Sequence, residues 1–265
     1  MVEAIKSLII RIFHSLGYNL EKRKELKEQV LDYRKYNKPL NIEFMGASGV
    51  GKTTLFNELI KEREREIKWI TPEEFIQIER YEIDEKNIFN SFNEEIIKVK
   101  TKIILDRNHS PSDKLKLLSF FYQNIKIIAM VKNFNKNYTV VFEDGLFHNF
   151  GDALMSFFEE TDSQFEAMIA NSAIIYCSNE PEIIAKQILK RRDTESILHP
   201  HHRFTAFEDL VDYQKKNIER LEKQMDVFKK FDIPIFKINT ADDLRENAIK
   251  VNEIINSLLE EKQSK

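Results

Sequence analysis

The residues with the clearest chemistry form a glycine-rich stretch, Gly46-Ala47-Ser48-Gly49-Val50-Gly51-Lys52-Thr53, followed by Thr54. Its spacing fits the G-x-x-x-x-G-K-[ST] pattern of a nucleotide phosphate-binding loop, or P-loop. The glycines let the backbone approach a polyphosphate closely, so that successive N–H groups point at the anion. Lys52 would reach the β and γ phosphates, and the Thr53 hydroxyl would be a ligand of Mg²⁺. The stretch therefore predicts a nucleotide site at residues 46–54.

A second group of reactive residues, Glu143-Asp144-Gly145, follows an apolar run at residues 138–142. Carboxylates at the end of a buried strand, downstream of a P-loop, are suited to holding Mg²⁺ and to accepting a proton from an attacking group. The sequence does not assign these two roles separately to Glu143 and Asp144, so both are predicted as catalytic residues and as metal ligands. The alternative is a simple Asp-Gly turn.

A third group is cationic and lies within residues 190–206, which are basic, polar and without periodicity. Such a segment predicts a mobile lid over a phosphate site, with Arg191 and Arg192 as catalytic residues and Arg203 as a nucleotide contact. The lid also contains three histidines, whose spacing fits no usual structural zinc site and which we interpret as solvated: His199, His201 and His202. His148, four residues after Asp144, is a further candidate for contacting a substrate.

The pattern around these groups alternates strands with helices. An apolar strand at 40–45 leads into the P-loop, and Leu55, Leu59 and Ile60 continue from it at helical spacing. The other predicted strands are 67–70, 138–142, 173–177 and 233–238, and the predicted helices are 73–136 with a break at 108–111, 154–169, 183 onward, 207–231 and 244–258. Because strands and helices alternate, we expect an α/β fold with a mostly parallel sheet and helices on both faces.

The N-terminal residues 1–38 predict two helices outside this domain, which we place at 39–260. Residues 1–16 are amphipathic and basic, so they either lie on an anionic membrane surface or pack on the body of the protein. No run of 18 apolar residues occurs and no cleavage site follows the first helix, so we expect a cytoplasmic protein, peripheral to the inner membrane face if the first interpretation holds.

The composition of the chain limits the binding partners and the covalent cross-links that can be expected. The chain has 265 residues and a formal net charge of -3, which gives no global basic field for duplex nucleic acid. Its one cysteine, Cys177, lies within an apolar run and is predicted to be an inert core thiol, so an internal disulfide is excluded.

Together, the strand-led P-loop, the strand ending in Glu143-Asp144-Gly145 and the arginine-bearing loop resemble the P-loop kinases of the nucleoside and nucleotide monophosphate kinase type, over about residues 41–259. The resemblance implies a three-layer P-loop NTPase fold whose sheet has about five strands, with the acid-bearing strand next to the P-loop strand. It also implies a lid and a helical acceptor side at about 73–136. Such kinases commonly carry R-I-x-x-R before the lid; here Gln187 occupies the first arginine position and Arg191 the second.

The predicted function is an Mg-ATP-dependent kinase that transfers the γ-phosphoryl group to a small acceptor, either a nucleoside or nucleotide, or a sugar or other metabolite. Arg80, Arg107 and Tyr122 are candidates for lining the acceptor pocket. The alternative is an ATPase or regulatory NTPase that transfers nothing. A guanine-specific switch is disfavoured because residues 135–138 lack the aspartate of N-K-x-D, and no L-S-G-G-Q string of a transporter ATPase occurs.

Overall fold

A computed structural model describes residues 39–63, 68–79, 91–135, 138–157, 166, 168–194 and 206–263. The predicted N-terminal helices lie outside the described residues, as does most of the predicted lid. The same holds for five side chains with predicted roles: Arg80, His199, His201, His202 and Arg203.

The sheet consists of four parallel strands in the order β2-β1-β3-β4. Their bounds are β1 Leu40–Met45, β2 Thr139–Phe142, β3 Ser172–Ser178 and β4 Ile235–Asn239. The first three strands are apolar and almost wholly buried, as expected where helices cover both faces of a parallel sheet. The acid-bearing strand β2 pairs directly with the P-loop strand β1, which confirms that part of the prediction.

The expected fifth strand at 67–70 is reduced to a single bridge, so the described residues hold four strands rather than about five. Ile70 pairs with Val140 at the outer edge of β2, through the Ile70 N–H to the Thr139 carbonyl at 2.9 Å. The chain cannot extend this pairing because Pro72 begins a helix two residues later. A side-chain capping box between Thr71 and Glu74 fixes that helix start.

Eight helices have defined bounds in the described part of the chain, none of them long and apolar enough to cross a membrane. They are α1 Lys52–Lys61, α2 Pro72–Glu79, α3 Ser91–Asp106, α4 Pro111–Phe134, α5 Leu146–Leu154, α6 Pro181–Thr194, α7 Phe207–Lys229 and α8 Leu244–Gln263.

The break at 108–111 is confirmed, since Ser110 caps α4. The helix predicted at 154–169 is not confirmed at its start, where residues 155–157 form a turn; residues 166, 168 and 169 are helical, and the rest of the range lies outside the described residues. Helix α5, which the sequence did not predict, starts immediately after Gly145 and ends at Leu154. Leu146, Phe147 and Phe150, all buried, form its core face.

Two neighbouring residues of β1 show that helices pack on both faces of the sheet and so form three layers. Phe44 packs edge-on against Phe56 of α1, with ring centroids 5.6 Å apart. Glu43 turns the other way and accepts a hydrogen bond from the backbone N–H of His148, in the first turn of α5, at 2.7 Å. Since successive strand residues point to opposite faces, α1 and α5 cover opposite faces of the sheet. Helix α8 packs on α1, and α7 packs on α5 through Phe228 and Phe147.

Candidate functional site

The P-loop connects β1 to α1 through a backbone that requires glycine. Gly49 has a φ of +87° and Gly51 a φ of +104°, conformations that side chains rarely adopt. A Cβ on Gly49 would also lie 2.6 Å from Cγ1 of Ile188 on α6. Helix α6 therefore packs directly against the loop, and glycine is needed at position 49 for space as well as for its φ angle.

Lys52 is buried at the start of α1, where its ammonium group faces the loop. Its Nζ donates to the Gly46 carbonyl at 3.2 Å and lies 3.7 Å from Oδ1 of Asp144. Three features meet here, namely a lysine, the N-terminus of a ten-residue helix and a turn of backbone N–H groups. Each of these features favours a bound phosphate.

Glu143 and Asp144 occupy different positions, which the sequence does not reveal. Glu43 pairs with Phe142 in the sheet, so the next residues of β2 come out beside the end of β1, directly before the P-loop. There the Thr53 hydroxyl donates a hydrogen bond to Oε1 of Glu143, whereas Asp144 faces Lys52. The two carboxylates thus point to different parts of the P-loop.

Thr53 and Glu143 provide two hard oxygen donors at one point. No group of three or more His, Cys, Asp or Glu side chains able to hold a metal occurs among the described residues. The pair formed by Thr53 and Glu143 is compatible with Mg²⁺, which is usually bound by one or two carboxylates together with water and substrate phosphates.

His148 lies one helical turn after Asp144, and its Nε2 is 3.2 Å from Asp144 Oδ1. Burial lowers the pKa of His148 to about 4; the charge of Lys52 acts in the same direction and that of Asp144 in the opposite one. The imidazole is therefore neutral near neutral pH and can donate a hydrogen bond to the carboxylate. The prediction singled out His148 as near the site, and the geometry agrees.

Glu43 is a site residue that the sequence reasoning missed. It lies in β1 with 5% of its surface exposed, and burial raises the pKa of its carboxyl group to about 8, although hydrogen bonds from the backbone N–H groups of Phe147 and His148 oppose this rise. Gly145 fits against it, because a Cβ there would lie 2.1 Å from Glu43 Oε2. A glutamate between Ile42 and Phe44, in a mostly apolar strand, was the available signal.

A cavity of about 380 Å³ borders the P-loop on the side of α1. Its lining joins Gly51 and Thr54 to α6 and to the turn between β4 and α8, and includes Gln187, Lys190, Arg191, Thr240 and Asn247. Arg191 therefore faces the predicted nucleotide site; its neighbour Arg192 is on the same helix but is not part of this lining.

A larger cavity of about 510 Å³ lies next to Ala47 and is lined by Tyr176, Lys237 and residues of α7. Both cavities share Val50, but only the smaller one adjoins the first turn of α1 and Arg191. The smaller cavity is therefore the better candidate for the nucleoside part of a nucleotide.

Three other predicted residues have clear positions. Cys177 is buried, and burial raises the pKa of its thiol to about 12, so it is an inert core residue as predicted. Tyr122 is 53% exposed on α4. Arg107 follows α3 and approaches Asp152 of α5 to 3.8 Å.

No protein-family model matches the chain, and no curated protein matches it. Among solved structures, the fold is similar to the crystal structure of shikimate kinase from Bacteroides thetaiotaomicron, with a TM-score of 0.39 and 13% sequence identity. The match covers 82% of this chain and 98% of that one. At this level it carries no conclusion about what the present chain binds or does. The chain has an α/β fold with a parallel sheet, and its first strand leads directly into the G-x-x-x-x-G-K-[ST] sequence.

Proposed function

We propose that the protein is an ATP-dependent kinase that transfers the γ-phosphoryl group to a small-molecule acceptor. The observation that carries the proposal is the convergence of Lys52 and Thr53 of the P-loop with Glu143 and Asp144 at the carboxyl end of β2. A P-loop alone binds phosphate. A second carboxylate beside the lysine, with a neutral imidazole at 3.2 Å, additionally provides a place for a proton.

In this proposal the donor phosphates lie in the P-loop, with Lys52 on the β and γ oxygens and the nucleoside toward the cavity that Arg191 lines. Thr53 and Glu143 would hold Mg²⁺, which would offset the negative charge of the phosphates. Arg191, with Arg192 and Arg203 of the lid, would supply further positive charge to the transferring group.

Asp144 would act as the proton acceptor. It takes the proton of the acceptor's hydroxyl group while that oxygen attacks the γ phosphorus, and the bond from that phosphorus to the bridging oxygen of the departing ADP breaks. The Nε2–H of His148 would hold the Asp144 carboxylate toward the attacking oxygen. If the acceptor is itself a phosphate, its oxygen is already ionised and Asp144 serves only for orientation.

The test uses γ-labelled ATP, Mg²⁺ and a metabolite extract, with the transferred label separated from free phosphate. We expect a labelled metabolite with the wild type, no transfer with Lys52→Ala, and rates lower by about 10²- to 10⁴-fold with Asp144→Asn. Glu253→Gln, at an exposed position on α8, is the matched control. Release of labelled phosphate without any labelled metabolite would contradict the proposal and favour an ATPase that transfers nothing.

A further inference from the structure

A cluster of cations surrounds Asp152, one helical turn after His148 on α5. Arg220 of α7 pairs with Asp152 of α5, and Arg107 approaches the same carboxylate to 3.8 Å. Lys100 of α3 donates to the Asn149 carbonyl at 2.6 Å, and its charge acts on Asp152. We call Lys100, Arg107 and Arg220 the cation cluster; its members come from two separate parts of the chain and meet around one turn of α5.

The charges of this cluster are not balanced. The groups whose charges act on Lys100 are Asp152, Arg107 and Arg220, so one carboxylate stands against three cations. The pKa of Lys100 is lowered to about 8, mainly by burial; the charge of Asp152 opposes this shift and those of the two guanidinium groups add to it. His148 is neutral and adds no charge. The excess of positive charge is concentrated around the partly buried Lys100 ammonium group, and an anion beside it would be favourable.

The guanidinium groups have hydrogen-bonding capacity to spare. Each guanidinium carries five N–H donors. Arg220 uses one nitrogen on Asp152 and another on Asn217 at 2.8 Å, and its side chain is 47% exposed. Arg107 is beyond hydrogen-bonding distance of Asp152, and its side chain is 37% exposed. Both arginines can therefore donate to a ligand from solvent while Asp152 keeps them in place.

The position of the cluster relates it to the transfer site. Asp144 lies just before α5, and His148 in its first turn is 3.2 Å from the Asp144 carboxylate. Asp152 follows His148 by one helical turn, a rise of about 6 Å, so the cluster lies farther along α5 than the imidazole.

We propose that the cation cluster binds an anionic group of the phosphoryl acceptor, a phosphate monoester or a carboxylate, farther along α5 than His148 from the oxygen that is phosphorylated. The identification of the ligand as the acceptor rests on the proposed kinase function. The existence of an anion site does not depend on that function. The competing explanation is that the cluster is only an ion-paired clamp between α3, α5 and α7, and a clamp has no affinity for a free anion.

The experiment measures binding of inorganic phosphate and of acetate to the full chain by calorimetry, at constant ionic strength set with chloride. The Lys52→Ala background weakens phosphate binding at the P-loop. In that background we compare Arg220→Gln with Lys229→Gln, which removes a charge from the same helix where Lys229 pairs with Asp226 at 3.1 Å. Arg220→Lys, which keeps the charge but loses the planar fork, controls for misfolding.

We expect phosphate, acetate or both to bind in the Lys52→Ala background, about tenfold or more weaker with Arg220→Gln, and unchanged with Lys229→Gln. Intermediate affinity with Arg220→Lys would support the site, and the preferred anion would identify the acceptor class. Absence of binding by both anions, or equal affinity in the Arg220→Gln and Lys229→Gln variants, would overturn the proposal. ADP binding to the wild type is measured in parallel: its failure would refute the kinase function and leave the anion site standing.

Discussion

Replacing Glu43 by glutamine should make the stability of the protein less dependent on pH. The carboxyl group lies in the central strand and accepts the His148 N–H at 2.7 Å, a bond that a glutamine side-chain oxygen can keep. Glutamine has the shape of the protonated acid and carries no charge. The substitution therefore isolates the effect of ionising a buried carboxyl group.

The magnitude follows from the pKa. Burial raises the pKa of Glu43 from its ordinary value of 4.5 to about 8. Between these two values the unfolded chain is ionised while the folded protein retains the proton, so the folded state binds more protons and its stability falls as pH rises. Each pH unit in this window costs about 1.4 kcal/mol, which gives about 5 kcal/mol over the whole window.

The assay is equilibrium urea unfolding at pH values from about 4.5 to about 8. It is followed by the fluorescence of Trp69, which is the single tryptophan and is buried. We expect the free energy of unfolding of Glu43→Gln, relative to the wild type, to rise with pH by an amount on the order of 5 kcal/mol. Glu253→Gln, at an exposed site, should follow the wild type at every pH.

A difference between Glu43→Gln and the wild type that stays constant over this window would refute the reasoning. It would mean that Glu43 is ionised in the folded protein. The backbone N–H groups at the start of α5 would then outweigh the cost of burial, contrary to the pKa argument.

Three further outcomes are expected. Gly145→Ala should lower the free energy of unfolding by about 1–3 kcal/mol in urea, because its Cβ would lie 2.1 Å from Glu43 Oε2, and an unchanged midpoint would contradict that packing. Thr53→Val should lower Mg²⁺-dependent ATP turnover by at least about tenfold while ADP binding without metal is kept; equal turnover would remove the hydroxyl from the metal site. Gly49→Ala should abolish ADP binding by calorimetry, and Ile188→Ala should not restore it, because the backbone strain at φ +87° remains after the contact is relieved.

The sequence determined the P-loop because its conformation is set locally. The residues of the P-loop are adjacent in the chain, and their types set the backbone conformation and the helix start that follow. The same holds for the sharp exit from β2 at Gly145. Other elements were harder to foresee. The strand expected at 67–70 became one bridge because Pro72 starts a helix, and the helix at Leu146–Leu154 was not predicted.

Only the tertiary structure separated Glu143 from Asp144, which are neighbours in the chain. The choice depends on the register of β2 against β1, which brings Glu143 to the Thr53 hydroxyl and Asp144 to Lys52. Periodicity indicates which face of an element is buried, but it does not fix the register between strands that are distant in the chain. Thr53 and Glu143, which this register brings together, are 90 residues apart.

The cation cluster was likewise invisible in the sequence. Arg107 was a candidate acceptor contact, yet nothing local linked it to Asp152 or to Arg220, because these residues come from helices distant in the chain and meet only through packing. The sequence thus determined the local backbone of the P-loop, which favours a bound phosphate. The packing of α3, α5 and α7 decided which charges meet around Asp152, because it alone sets the distances between them.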